Sequence, residues 1–345
     1  MAVGSEVRVL IGGSTRSNNK RIRYRAVTAR ERWLLSLAHR LTQHRSLGHG
    51  SDSVPLRLAI RIAQSSTIKG RNSFPLENMM RLPLWVALLL SIPAWAQQPP
   101  ALNSPSYTQN SIVHAATNRP GKLAPNSIAT IYGKGLATAT MAAGAKELIT
   151  GFLPSVYPGS CTSVFIDNIS APLLFVSPGQ VNFLVPANLR PGVRVLKVFC
   201  DSITGPKVEV ELLDAVPGLF QSDPSTVIAT HGNGELCTVE KPARPGEVVI
   251  LYAAGLGQTT PASVTGFLAV KAAGIERQAD FQVLLNRRPL PKEAILYAGV
   301  APGFAGLYQI NVRLPSDFQT PLEIQIRVGE ETSPEGLFTP ASTIP

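Results

Sequence analysis

The chain has 345 residues, with 32 Lys and Arg against 22 Asp and Glu, a formal net charge of +10. The length allows two or three domains, and the charge alone would suit a nucleic-acid partner. Residues 1–78 hold fourteen Lys/Arg and four Asp/Glu, the whole excess, whereas residues 79–345 hold eighteen of each, which excludes an electrostatic case for nucleic acid over most of the chain.

Residues 1–78 carry a basic run (Lys20, Arg21, Arg23, Arg25, Arg30, Arg32) and an amphipathic stretch around residues 33–41. They read as a disordered or spurious extension upstream of a start at Met79 or Met80. The competing reading is a basic arm for nucleic acid or anionic membrane. Residues 79–96 then have the three parts of a secretory signal peptide. Arg81 supplies the positive end, 82–92 the apolar core, and Ala94-Trp95-Ala96 a small-x-small cleavage site before Gln97. The apolar run falls short of the ~20 residues a membrane span needs; a buried core helix is the alternative. Secretion or another extracytoplasmic location follows, with no membrane span after cleavage. Trp33, Trp85 and Trp95 all precede Gln97, so the processed chain contains no Trp.

Residues 97–119 are polar and Pro-bearing and read as a linker. Beyond them, short apolar runs alternate with Pro-Gly turns at 158–159, 178–179, 191–192, 217–218, 245–246 and 302–303. That punctuation predicts an all-β sandwich or barrel. Leu322, Ile324, Ile326 and Val328 alternate with Glu323, Gln325 and Arg327, and Val208, Val210 and Leu212 alternate with Glu209 and Glu211. Each is a strand with one buried face, and the two are expected to close two corresponding units. Residues 127–132 and 248–252 are more uniformly apolar than these alternating segments and read as central strands. Residues 138–149 alone suggest a short helix.

The units correspond along their length. Residues 124–136 line up with 244–256, matching Tyr132 with Tyr252 and Gly135 with Gly255; 180–186 line up with 309–315, matching Gln180 with Gln309 and Asn182 with Asn311. Such a duplication predicts a β-sandwich at 120–216, a connecting segment at 217–241, a second sandwich at 242–335 and a tail at 336–345.

The segment "PNSIATIYGKGL" (125–136) resembles the opening strand of IPT/TIG domains, which are immunoglobulin-like sandwiches. The longer ordered set "APLLFVSPGQVNFLVP" (171–186), "VPGLF" (216–220), "PGEVVILYAAGLGQT" (245–259) and "YAGVAPGFAGLYQINVRLP" (297–315) is similar to the Solibacter-type C-terminal domain of acidobacterial secreted proteins. The similarity covers about 115–330. It implies two tandem immunoglobulin-like (IPT/TIG-like) β-sandwiches after the signal peptide. It carries over no catalytic residue. Family members usually place this region after other modules, and here it is expected to stand alone.

The Gln-x-Asn pairs sit at strand spacing, so each pair shares a face. They read as structural amides that satisfy backbone groups at neighbouring turns. The competing reading is a polar ligand patch for a sugar, with Tyr308 available for stacking. Gly133, Gly135 and Gly255 lack the Lys-Ser/Thr of a phosphate loop and read as tight-turn glycines. Of the cysteines, Cys161 and Cys200 fall in one repeat and form the first-choice disulfide; Cys200–Cys237 is the alternative. A bridge closing about 39 residues stabilises by roughly 4 kcal/mol in the chain-entropy model. His114 and His231 are the only histidines after residue 78, and neither stands in a nucleophile or metal motif. Asp167, Asp214 and Asp223 lack calcium-loop spacing.

These features point to a secreted, non-catalytic binding or adhesion module without a cofactor, its partner a protein or glycan at a cell surface or matrix. The alternatives are a self-assembling surface protein and a secreted carbohydrate-active enzyme using scattered carboxylates.

Overall fold

In the computed structural model residues 104–344 are described, and they form two tandem immunoglobulin-like β-sandwiches. The basic extension 1–78, the expected signal peptide at 79–96 and the first part of the expected linker lie outside the described residues.

The first sandwich contains β1 (Ile112–His114), β2 (Lys122–Leu123), β3 (Ile128–Tyr132), β4 (Met141–Ala142), helix α1 (Ala145–Thr150), β5 (Thr162–Ile166) and β6 (Ile169–Ala171). It continues with β7 (Leu173–Ser177), β8 (Gln180–Leu184), β9 (Gly192–Cys200), β10 (Ile203–Thr204) and β11 (Val208–Leu212). One sheet runs β1-β3-β8-β7-β4 and the other β2-β11-β9-β5-β6, with β10 on β9. Alternating side chains from both, among them Ile131, Phe183, Val164 and Leu196, bury the core between them.

The second sandwich contains β12 (Gly218–Leu219), β13 (Ala229–His231), β14 (Val248–Ala254), β15 (Thr259–Thr260), β16 (Ala273–Ile275) and β17 (Phe281–Leu285). After these come β18 (Arg288–Pro289), β19 (Ile295–Val300), β20 (Tyr308–Arg313), β21 (Leu322–Val328), β22 (Glu331–Thr332) and β23 (Phe338–Thr339). Its sheets run β12-β14-β20-β19-β16-β15, with β13 on β14, and β18-β17-β21-β22, with β23 on β21. Leu251, Ile310, Val283 and Ile326 fill its core.

The duplication is visible in the pairing itself. Tyr132 sits opposite Gln180 and Thr130 opposite Asn182; Tyr252 sits opposite Gln309 and Ile250 opposite Asn311. The neighbouring strand breaks register at the same place, between Leu173 and Phe175 and between Ile295 and Tyr297. The β5–β6 and β17–β18 hairpins turn on Asp167-Asn168 (φ 46° and 65°) and Asn286-Arg287 (φ 47° and 66°). Both central residues at positive φ are what a two-residue type I′ turn requires.

The pairing also corrects several expected boundaries. The linker expected at 97–119 gives way to folded chain: β1 pairs antiparallel with β3, and Tyr107 locks the chain ahead of it. The Tyr107 hydroxyl donates to the Pro206 carbonyl at 2.5 Å and accepts from the Val198 N–H at 2.8 Å. From the connecting segment 217–241, β12 and β13 both pair with β14. The tail 336–345 carries β23, and Ala341 bridges in parallel to Ala243, as Leu212 pairs in parallel with Leu123. The counterpart of Val208–Leu212 is therefore the tail, not Leu322–Val328. The latter matches β9, because Ile324 lies opposite Leu285 as Leu196 lies opposite Ile166.

The helix expected within 138–149 forms in the second part of that window, as α1, while Met141–Ala142 is a strand. The Glu147 carboxylate accepts from the Gly144 N–H at 2.6 Å at its start, and Gly151 ends it at φ 69°. Cys161 and Cys200 are disulfide-bonded with Cα atoms 4.5 Å apart, and Cys237 is free and buried, so the Cys200–Cys237 alternative is overturned. The bridge closes a corner where the Asp201 N–H donates to the Cys161 carbonyl at 2.8 Å. The second repeat closes the same corner with the Gly329 N–H on the Asp280 carbonyl at 3.2 Å, and Arg277 paired with the Asp280 carboxylate at 2.9 Å.

Candidate functional site: a ribbon joining the two sandwiches

The residues singled out by sequence are mostly committed to internal structure. In each Gln-x-Asn pair the amides bond to one another: Gln180 Nε2 donates to Asn182 Oδ1 at 2.8 Å, and Gln309 Nε2 to Asn311 Oδ1 at 2.7 Å. Among the described residues no hydrogen bond from these amides to the turn backbone forms, and Asn182 Nδ2 is buried without a partner. Gln180 and Asn182 are buried, Gln309 and Asn311 half-buried, and each pair stays within its own repeat. Tyr308 does not stack beside them. It points into the core, donates to the Gly257 carbonyl and accepts from Asn126 Nδ2 at 3.0 Å; burial raises its pKa.

Gly135 and Gly255 both have positive φ, 63° and 80°. Gly255 is further restricted, because a Cβ there would lie 1.9 Å from the Val216 carbonyl oxygen and 2.8 Å from His114 Nε2. His114 is 1% exposed, and burial pushes it down to about 4, with the Ala254 backbone opposing. Its Nδ1 accepts from the Thr117 N–H at 3.4 Å, while Nε2 is buried without a hydrogen-bond partner. His231 does not lie in a free loop: Nδ1 is 2.5 Å from Glu247 Oε1 and Nε2 3.1 Å from the Lys241 carbonyl. Asp167 accepts from the Val195 N–H at 2.9 Å, and Asp223 from the N–H groups of Ser225 and Thr226 at 2.9 and 3.0 Å. Among the described residues no three His, Cys, Asp or Glu side chains gather as a metal site, and no helix is long and apolar enough to cross a membrane.

A third apolar core joins the sandwiches. Ile128 and Leu184 from the first meet Phe220, Ile250, Tyr252 and Leu307 from the second. Polar contacts cross beside it: the Ala187 N–H donates to Thr265 Oγ1 at 2.9 Å, and Gln258 Nε2 donates to the Ala187 carbonyl at 2.5 Å.

At the margin of this core, segments 151–153 and 266–268 form a short antiparallel ribbon. The Leu153 N–H donates to the Gly266 carbonyl at 2.7 Å and the Leu268 N–H to the Gly151 carbonyl at 3.0 Å, bracketing the Phe152–Phe267 bridge. Strand alternation then decides what each side meets. Leu153 and Leu268 turn into the third core, and Phe152 and Phe267 turn out to solvent. Facing across a non-hydrogen-bonded pair, where side chains approach closely, the two rings meet edge to face with centroids 5.5 Å apart. Phe152 and Phe267 remain 44% and 55% exposed, and their chain neighbours Ile149 and Val264 are 86% and 62% exposed. Gly266, at φ 82°, makes room for the ring, since a Cβ there would stand 3.3 Å from Phe152 and 3.1 Å from Pro172.

Sequence reasoning missed this pair, although a signal existed: the tripeptide Gly-Phe-Leu occurs at 151–153 and again at 266–268. The two copies occupy different positions in their repeats, after β4 and before β16, so matching repeat to repeat passes over them.

No protein-family model matches the chain and no curated protein matches it. Solved structures similar to it include the gamma-CGTase from alkalophilic Bacillus clarkii, at 13% identity and a TM-score of 0.22, covering 65% of this chain and 23% of that one. SGBP-B of the Bacteroides ovatus mixed-linkage glucan utilization locus, in complex with a mixed-linkage heptasaccharide, is 10% identical with a TM-score of 0.27, covering 69% of this chain and 46% of that one. The tandem Ig repeats of Dlar are 9% identical with a TM-score of 0.19, covering 68% of this chain and 92% of that one. The chain thus spans less than half the length of the first two. Similarities this distant carry no argument about activity or ligand.

Proposed function

We propose that this chain is a secreted, non-catalytic binding module, that its docking face is the outward side of the Phe152–Phe267 ribbon, and that it belongs with the Solibacter-type domains its motifs resemble. The order of parts at 79–96 supports secretion, and the ordered strings between 171 and 315 support the family assignment.

The exposed aromatic pair carries the functional reading. Two large rings are held in solvent by a ribbon whose other side is fixed in a core. Exposed apolar patches of this kind mark interaction surfaces, and buried aromatic anchors dominate protein interfaces. The favoured partner is a protein, because Phe152, Phe267, Ile149 and Val264 offer exposed apolar area of the kind protein interfaces bury.

The test is equilibrium binding of fluorescently labelled protein to the cells that produce it, wild type against Phe267→Ser. Saturable binding weakened about tenfold or more in the variant supports the reading. Absence of saturable binding, or turnover on a polysaccharide panel by the wild type, contradicts it.

A further inference from the structure

We infer that His114 is an acid-sensitive latch on the junction. While its ring is neutral the two sandwiches close on each other and the ribbon forms between them; protonation of the ring favours their separation without unfolding either. The inference rests on the docking-face reading above only for what the latch controls, the presentation of Phe152 and Phe267.

The ring belongs to the first sandwich, but two glycines of the second make the slot it fills. A Cβ on Gly218 would stand 2.7 Å from Cε1, and one on Gly255 2.8 Å from Nε2. The slot has no place for a charge. Nδ1 already accepts from the Thr117 N–H at 3.4 Å, so a proton added there would set donor against donor. Nε2, which then carries the hydrogen of the neutral ring, is buried without an acceptor. The strands against the ring, β3, β12 and β14, hold no Asp, Glu, Lys, Arg or second His, and their titratable residues are Tyr132 and Tyr252. Arg119 on the turn after β1 and Asp214 on the connecting chain are exposed. Burial therefore dominates, offset in part by the Ala254 backbone, and holds the group at about 4. A charged ring must reach water or an acceptor. Separation of the sandwiches supplies water while each keeps its own core, and only residues 213–217 join β11 to β12. The ribbon goes with the junction. Ala115 and Ala116, next to the ring, share the third core with Leu153 and Leu268, and both ribbon hydrogen bonds cross from one sandwich to the other.

The experiment is amide hydrogen exchange of the full chain at pH 7 and pH 5, each rate divided by that of an unstructured chain at the same pH. An open junction takes up a proton below the ordinary 6.5 and a closed one only near 4. The preference for the closed form is therefore whole above 6.5 and weakens as pH falls towards 4. Protection of the amides that cross the junction, Leu153, Leu268 and Ala187, should fall about twentyfold between pH 7 and pH 5. Amides bonded within one sandwich, Asp167 to the Val195 carbonyl and Leu290 to the Val283 carbonyl, should not follow. His114→Gln, or His114→Leu if the first variant does not fold, should remove the pH dependence of the crossing amides. Constant protection in wild type, an equal fall within the sandwiches, or an equal fall in the folded variant overturns the latch. Cell binding read at the same two pH values separates the latch from the face it controls. Binding that weakens at pH 5 in wild type and not in the variant supports both. Ribbon amides that open while cell binding holds leave the latch standing and overturn the docking face.

Discussion

His114 shows how one buried side chain couples the junction to pH. In the folded chain its pKa lies near 4, against an ordinary 6.5, because burial disfavours the charged ring. The unfolded chain therefore takes up a proton below pH 6.5 that the folded chain refuses. The stability tied to this group is present above pH 6.5 and is lost as pH falls through 4, amounting to roughly 3 kcal/mol once both states are protonated. Urea unfolding at pH 7 and pH 4 should show that loss in wild type and a smaller loss in His114→Gln, the difference between the two isolating this ring from the carboxylates. Equal losses would contradict the assignment. Cys237 gives a simpler case. Burial, reinforced by Glu247, pushes its thiol up to about 12, so it should react with a thiol reagent only on unfolding. Neither property was legible in the sequence. His114 and Cys237 stand in short, ordinary contexts, and what surrounds them comes from residues a hundred positions away or from the returning strand.

At the scale of elements, legibility followed the contrast between faces. β21 was readable because Glu323, Gln325 and Arg327 mark its outer side against Leu322, Ile324, Ile326 and Val328. Its true counterpart β9 was not, because Val195 and Phe199 occupy outward positions that a polar residue would have marked. The cleaner alternation of β11 makes that strand look like the match instead. β23 has two residues and no period to read, and β1 is hidden in a polar stretch where Tyr107 and Ile112 are isolated anchors. The hairpin turns and the repeated glycines were readable because positive φ restricts residue choice. Two stability predictions belong here. Gly255→Ala combines a positive φ with a Cβ placed against the Val216 carbonyl, and should cost about 2–4 kcal/mol in chemical denaturation, more than a compatible glycine site allows. Paired Cys161→Ser and Cys200→Ser should remove up to roughly 4 kcal/mol, the loop-closure value for their separation of 39 residues. The Asp201 to Cys161 backbone bond keeps the corner, so the fold is expected to survive under native conditions.

Over the whole molecule, duplication supplies the scaffold and the departures from it supply the surface. The repeats agree in register, bulge and turn, and those agreements account for Tyr132, Tyr252 and the two amide pairs as parts of the fold. The ribbon breaks the symmetry: it joins a segment after β4 to a segment before β16, and so exists only because the sandwiches pack on one another. A sequence pattern cannot display such a contact, since neither half has a buried face of its own until the other arrives. The Phe pair adds little to stability, about 1 kcal/mol for an edge-to-face contact that remains partly in water, so its substitution should alter binding far more than folding. The most direct measurement sets two double variants side by side in the cell-binding isotherm. One is Phe152→Ser with Phe267→Ser at the ribbon; the other is Gln309→Ala with Asn311→Ala on the half-buried polar face. The account predicts that the ribbon variant loses binding about tenfold or more while the amide variant binds as wild type. Loss in the amide variant with the ribbon variant unaffected would contradict it and return the binding face to the Gln-x-Asn strand.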